Sequence, residues 1–246
     1  MLKQLLHFIK HHAVRLTNLS HTIPEGVRID IKNEMERRIY NDIFVDGDYD
    51  EAILKLISTA EETLTVLDLG SNVMFFTFRL IQLASEKPSK SHYSIHCIEA
   101  SDKLVSESHR RIQNSHFSTE RFQINIHQGL LGEPGGHSTF YHFKDHGLSS
   151  VFRKNGKPET ISFINVSDLL KGANKIDLLK CDIEGSEGDF ITHYGDILKK
   201  TSIAIFEFHF EYCSLEACIS IIQKTGLIYS KIIRESPQSR IELFWR

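Results

Sequence analysis

The chain has 246 residues, 41% of them hydrophobic and 25% charged, the composition of one folded domain with a short appendage, which excludes disorder as its dominant state. Its 29 basic and 32 acidic residues give a formal charge of −3, so no electrostatic reason exists to expect nucleic acid as a partner. The longest unbroken apolar runs, such as Val73-Met74-Phe75-Phe76, fall far short of the roughly 20 apolar residues needed to cross a bilayer, and no membrane span is expected.

Leu2, Leu5, Leu6, Ile9, Val14 and Leu16 recur at helical spacing, which predicts an amphipathic helix over residues 2–16. Residues 1–48 are read as an N-terminal helical segment, either a cap over a pocket or a homodimer contact. The stretch before it turns polar is too short for a secretory leader. Cys97, Cys181, Cys213 and Cys218 form no C-x-x-C pair and have the pattern of reduced thiols, so a cytoplasmic protein is expected.

The main domain is placed at residues 49–246. Asp48 and Asp50 precede an apolar helix, with acid at the positive end of its dipole. Strands follow at Leu64–Leu69, Tyr93–Ile98 and Phe122–His127, separated by helices over 75–86 and 101–114. Residues 130–165 are rich in glycine and hold the alternating Thr139-Phe140-Tyr141-His142-Phe143, which predicts an inserted hairpin or lid. A strand over Ile176–Ile183, a helix over Ser186–Leu198, a strand over Ile203–His209 and a helix over Leu215–Lys224 complete the alternation. Two strands then flank the Glu235-Ser236-Pro237-Gln238 turn. Short apolar strands alternating with helices imply a mostly parallel, doubly wound α/β sheet. The last link is too short for a parallel crossover, so the sheet ends in an antiparallel hairpin.

Ligands of open α/β sheets bind outside the carboxyl ends of the strands, so polar strand-end residues carry the functional reading. Val66-Leu67-Asp68-Leu69-Gly70-Ser71-Asn72 ends the first strand in a glycine turn, which suits either a ligand or a plain strand-to-helix turn. Glu99 ends the second strand, where a carboxylate accepts hydrogen bonds from ribose hydroxyls or favours the dipole of the next helix. In Ile176-Asp177-Leu178-Leu179-Lys180-Cys181-Asp182-Ile183-Glu184-Gly185-Ser186-Glu187, Lys180 and Asp182 share a face of a buried strand and require partners. Glu207 and His209 share a face of the neighbouring strand. Lys180 is therefore expected to pair with Glu207, while Asp182, Glu184 and His209 crown the strand ends around a reaction site; a buried ion-pair network without chemistry is the alternative. Ser186 with Asp189 three residues on has the form of a capping box. The fourteen histidines fall into no zinc spacing and no G-x-S-x-G elbow occurs, so neither a metal nor a serine hydrolase is assigned.

Three of these blocks resemble the FkbM-type methyltransferases, S-adenosylmethionine-dependent enzymes of the class I, Rossmann-like fold with a seven-stranded sheet. Asp68-Leu69-Gly70-Ser71-Asn72 is similar to the family's D-x-G-A-N loop, Glu99 takes its strand-end acid, and Leu178–Glu187 is similar to L-L-K-x-D-x-E-G-x-E. Phe206–His209 and Leu148-Ser149-Ser150 add to a likeness spanning residues 60–210. The resemblance implies that Gly70, Ser71 and Asn72 border S-adenosylmethionine, with Asp68 near its aminoacyl end, Glu99 on the ribose and Gln128 beside the adenine. By the same resemblance Asp182 and Glu184 line the active site of an O-methyltransferase acting on a small molecule, sugar or polyketide-like hydroxyl. His209 or Asp182 would be the base, His209 having the better intrinsic pKa. Met74 replaces a family glycine, in a position to crowd the cofactor; a degenerate, non-catalytic binding module is the rival reading. A dinucleotide oxidoreductase is disfavoured by the incomplete glycine set. The enzyme reading requires Gly70, Glu99 and Asp182 to converge on one hollow.

Overall fold

The structure is a computed structural model and describes residues 19–59, 61–87, 90–142, 151–152 and 156–246. The helix expected over 2–16 and the Leu148-Ser149-Ser150 segment lie outside them.

The first described elements are strands, where the sequence reading has helix: β1 (Leu19–Thr22) and β2 (Arg28–Ile31) pair antiparallel. Val27, Ile29 and Ile31 are buried and alternate with Arg28 and Asp30, a period of two that a strand, not a helix, turns toward a core. Helix α1 (Glu34–Tyr40) follows, its N-terminus capped by the Asn33 side chain, which accepts from the Glu36 N–H at 2.9 Å. A π-helical turn over Asn41–Val45 leads to α2 (Asp50–Ile57).

The alternating part runs β3 (Thr63–Leu69), α3 (Phe75–Ser85), β4 (His92–Glu99), α4 (Asp102–Gln113) and β5 (Phe122–Gln128). The expected insertion is a hairpin, β6 (His137–His142) with β7 (Lys157–Ser162), followed by α5 (Val166–Leu169). Then come β8 (Ile176–Cys181), α6 (Glu187–His193), α7 (Gly195–Lys200), β9 (Thr201–His209), α8 (Leu215–Lys224), β10 (Tyr229–Glu235) and β11 (Ser239–Trp245). The helix expected over 186–198 is thus two, divided at Tyr194, whose hydroxyl donates to the Ile164 carbonyl at 2.8 Å.

Seven strands form one sheet in the order β10-β11-β9-β8-β3-β4-β5, with β11 antiparallel to β9 and β10 and the remaining pairs parallel. Every residue of β8 is buried, as a central parallel strand covered on both faces must be. One face packs Leu64, Val66 and Leu178 against α2 and α3; the other packs Leu67, Leu69, Leu179 and Phe206 against Phe190, Ile191 and Leu198. From β3 the chain steps outward to β4 and β5, then returns to β8 on the other flank of β3. The carboxyl ends of β3 and β8 are therefore the switch point, where a doubly wound sheet opens a crevice.

Candidate functional site

At the switch point the two strand ends nearly touch. Gly70 has φ +73°, and a Cβ built on it would lie 1.8 Å from the Asp182 carbonyl oxygen, so the close approach itself demands glycine. Asn72 and Met74 also take left-handed backbone, at φ +48° and +71°. The Met74 side chain is fully buried in the core between sheet and helices and lines neither hollow described below, which removes the expectation that it crowds a ligand.

Glu99 fastens this turn. Its carboxylate accepts from the Asn72 N–H at 3.0 Å and the Ser101 N–H at 2.9 Å, and burial pushes its pKa up against those bonds. Asp68 lies beneath the turn, fully buried, accepting from Thr77 Oγ1 at 2.8 Å with Lys180 Nζ at 3.4 Å; burial raises its pKa although Lys180 opposes this. It lines neither hollow.

Lys180 does not pair with Glu207. Across the parallel ladder its partner is Asp68, while Glu207 sits one same-face position further along β9, so the ammonium turns to Asp68 and to Asp182 at 3.7 Å. It also donates to the carbonyls of Leu69 at 3.2 Å and Gly70 at 2.7 Å. Burial disfavours its charge, but Asp68 and Asp182 outweigh that and raise its pKa. Glu207 instead accepts from Ser239 Oγ at 2.8 Å and has Arg234 at 3.8 Å.

Ser186 and Asp189 form no capping box, since the Ser186 side chain caps nothing. Glu187 anchors this segment instead. Its Oε1 accepts from the N–H groups of Ile183 and Gly185, both at 3.1 Å, and so holds the loop after β8. The same oxygen takes His209 Nδ1 at 3.0 Å, and His209 Nε2 lies 3.7 Å from Glu184. Burial disfavours the imidazolium, yet the Glu187 bond and the charges of Glu187, Asp182 and Glu184 push the His209 pKa up to about 10. At neutral pH His209 is therefore a cation with its proton in place, and its intrinsic pKa is no guide to its role. Burial, with Asp182 as a neighbouring charge, pushes Glu184 up to about 8 and Glu207 up to about 7.

Asp182, Glu187 and His209 bring one oxygen or nitrogen each within 4.8 Å of one another, a grouping of cation-ligand type that no sequence spacing announces. Glu187 Oε1 is already engaged by three N–H donors.

Two hollows meet over this loop. The first, of about 630 Å³, is lined by Gly70, Asn72, Glu99, Asp182 and Glu184, with Ile98, Leu104, Leu130 and Phe140 as apolar walls. Gly70, Glu99 and Asp182 do converge on it. Gln128 is exposed and lines neither hollow; the β5 end contributes Gly129, Leu130 and Leu131 instead. The second, of about 860 Å³, shares Gly70, Asn72, Asp182 and Glu184 with the first and adds Ser71, Lys180, Glu207 and His209. Its outer wall is Met35, Arg38, Ile39, Asp42 and Ile43 from α1 and the π-turn, with Arg234 opposite. A register shift between Ile232 and Arg234 in β10 re-aims that arginine, which pairs with Asp42 at 3.1 Å and Asp48 at 3.0 Å. Sequence reasoning missed Arg38, Asp42 and Arg234, because none stands at the end of a parallel strand; Glu187 was visible only as part of a motif.

The sequence matches the model of the methyltransferase FkbM domain over residues 68–226. The chain belongs to the FkbM methyltransferase family. No curated protein matches it at a significant level. Among solved structures, it is similar to the methyltransferase FkbM from Methylobacillus flagellatus KT, with 13% identity and a TM-score of 0.50 over 99% of this chain and 60% of that one. It is also similar to an S-adenosylmethionine-dependent methyltransferase from Agrobacterium tumefaciens, with 8% identity and a TM-score of 0.55 over 93% and 70% of the two chains. This FkbM chain thus spans less than two thirds of the M. flagellatus protein. The fold is the seven-stranded α/β sheet of class I methyltransferases. Among the described residues of this FkbM protein, no helix is long and apolar enough to cross a membrane.

Proposed function

We propose that the chain is an S-adenosylmethionine-dependent O-methyltransferase whose acceptor is a small-molecule or glycan hydroxyl. The observation that carries this reading is the junction of two hollows at Gly70, Asn72, Asp182 and Glu184, one for a donor and one for an acceptor. The residues present suit a nucleoside-bearing donor: Ser71 Oγ and Asn72 Oδ1 are buried without a hydrogen-bond partner among the described residues. Leu104, Leu130 and Phe140 offer apolar walls to a flat base, and Glu99 offers its remaining lone pairs to ribose hydroxyls.

S-adenosylmethionine supplies a methyl group that its sulfonium already makes electrophilic. The protein's part is to hold the acceptor hydroxyl in line and remove one proton. Asp182, at the junction, takes that proton. Glu207 and Glu184 flank it, with pKa values of about 7 and 8 that suit proton transfer near neutrality, and the His209 cation balances their charge. Carboxylates on the floor of the second hollow accept hydrogen bonds from acceptor hydroxyls, which supports a hydroxylated acceptor.

S-adenosylhomocysteine at a hundred-fold excess over its dissociation constant should stabilise the fold by about 2.7 kcal/mol, read as a thermal shift. Mass spectrometry of extract incubated with labelled methyl donor then identifies the acceptor. Asp182→Asn should keep the shift and lose turnover by a factor of about 100 or more. No shift with millimolar ligand would leave a non-catalytic relative as the reading.

A further inference from the structure

All four cysteines are free thiols, and two of them are neighbours. Cys97 and Cys181 lie fully buried inside β4 and β8. Cys213 and Cys218 flank the start of α8, whose N-cap is Ser214; the Cys218 N–H makes the first helical bond, to the Ser214 carbonyl at 3.0 Å. Cys213 is therefore the residue before the N-cap and Cys218 the fourth of the helix, two positions whose side chains pack against each other across a helix start. Apolar residues commonly fill this pair of positions, and here both are thiols.

The packing is visible from Gly188 of α6, where an added Cβ would lie 3.3 Å from Cys213 Cβ and 3.8 Å from Cys218 Sγ. The two sulfurs are in hydrogen-bonding contact, which holds the Cys218 thiol below its ordinary pKa although burial opposes this. The pair thus gives up its first proton more readily than an isolated thiol. Cys218 is 3% exposed, whereas Cys213 is half-buried and open to a small solute.

Cys213 also closes the turn that leaves β9. Its N–H and that of Tyr212 donate to the His209 carbonyl at 3.2 and 3.0 Å, and its Sγ lies 3.4 Å from the same oxygen. The Tyr212 ring packs on Gly185, where an added Cβ would lie 2.5 Å from its Cδ2. Glu187 Oε1 accepts from the Gly185 N–H and holds His209 Nδ1, so this turn is fastened to the loop that carries Asp182 and Glu184.

We propose that Cys213 and Cys218 are a modification site for two-electron oxidants, closing to a disulfide that ties the His209–Cys213 turn to α8. The chemistry is independent of the cofactor. With a peroxide, the Cys213 thiolate attacks one oxygen, the O–O bond breaks and hydroxide leaves, giving a sulfenic acid. The Cys218 sulfur then attacks the Cys213 sulfur; the S–S bond forms, the S–O bond breaks, and the departing oxygen takes the Cys218 proton to leave as water. The proton first lost from Cys213 neutralises the hydroxide. Two thiols thus give up two electrons, and one peroxide becomes two waters.

The test treats the full chain with hydrogen peroxide, alkylates it under denaturing conditions and digests it with trypsin. Residues 201–224 form one tryptic peptide that holds both cysteines. This peptide should emerge unalkylated and two hydrogens lighter, with Cys97 and Cys181 still alkylated. Cleavage after Glu216, between the two cysteines, should separate its halves only after reduction. C218S should instead accumulate a sulfenic acid at Cys213 that dimedone traps, and C213S should leave the buried Cys218 alkylated. A monosubstituted trivalent arsenical, which bridges two thiols in contact, should bind the wild type one to one and bind neither variant. Amide exchange at Tyr212 and Cys213 should slow on oxidation. Melts check that each variant folds. A doubly alkylated peptide after peroxide, or loss of Cys97 or Cys181 thiol at the same dose, overturns the proposal. A bridge that leaves exchange at Tyr212 and Cys213 unchanged overturns its link to the turn.

Discussion

At Gly70 a left-handed φ and the Asp182 carbonyl act on the same atom. A β-carbon there costs about 1 kcal/mol for its backbone region and must also push apart two strand ends joined by the Asp182 N–H to Leu69 carbonyl bond of 3.2 Å. Gly70→Ala should therefore cost about 2–4 kcal/mol in urea unfolding and abolish nucleoside binding. His209 makes a prediction of opposite character. Its folded pKa of about 10 lies above the ordinary value of 6.5, so its contribution is complete below about pH 6.5 and disappears as pH rises toward 10. Glu184, pushed up to about 8, binds a proton more tightly in the folded chain and pulls stability down in the same direction between about pH 4.5 and 8. Unfolding free energy should thus fall from pH 6 to pH 10, and His209→Gln should flatten the upper part of that slope; an unchanged slope would mean that His209 titrates normally. Asp182, Glu184 and His209 were legible in the sequence because polar residues two apart on apolar strands must surface at a strand end. The partner of Lys180 was not, because the stagger between β3, β8 and β9 decides whether Asp68 or Glu207 is nearer, and stagger leaves no trace in one strand's sequence.

Between elements, the decisive contact is Arg111 of α4, a guanidinium with no exposed surface. It donates to Glu36 of α1 at 2.8 Å, to Glu107 at 2.7 Å and to the Asp30 carbonyl of β2 at 2.7 Å, and lies over the Phe75 ring at 5.3 Å. One side chain thus ties the N-terminal hairpin and α1 to the main sheet's own helices. Removing one member of a buried pair leaves the other charged and unpaired, so Arg111→Ala should cost about 3–5 kcal/mol, measured by denaturant unfolding. Glu36→Gln, which keeps shape and hydrogen-bonding capacity, should cost less. The β-hairpin itself was readable in Val27, Ile29 and Ile31, whose period of two was obscured by the helical spacing of the preceding leucines. No such signal marks β1, whose four residues are all exposed. The alternating strands and helices from Leu64 onward were legible because each strand is short, apolar and closed by a polar residue or glycine.

For the molecule as a whole, the family's fold and this chain's N-terminal segment are one unit. Val27, Ile29, Ile31 and Ile43 are each 5% exposed or less and belong to the same core as Leu64, Val66 and Phe78 of the main sheet and its helices. At about 2 kcal/mol for each buried aliphatic side chain, these four contribute about 8 kcal/mol, as much as the roughly 5–15 kcal/mol net stability of an ordinary domain. The same segment supplies Met35, Arg38, Ile39, Asp42 and Ile43 to the second hollow, so it walls that hollow while completing the core. A chain truncated to residues 46–246 should accordingly lose cooperative unfolding in circular-dichroism melts, since it exposes that core and leaves Arg111 without Glu36. Truncation to residues 19–246 keeps every one of these contacts and should unfold cooperatively. A cooperative, nucleoside-binding 46–246 fragment would show that the segment is an added lid on an independent domain, and that the hollow it walls is closed by motion and not by folding.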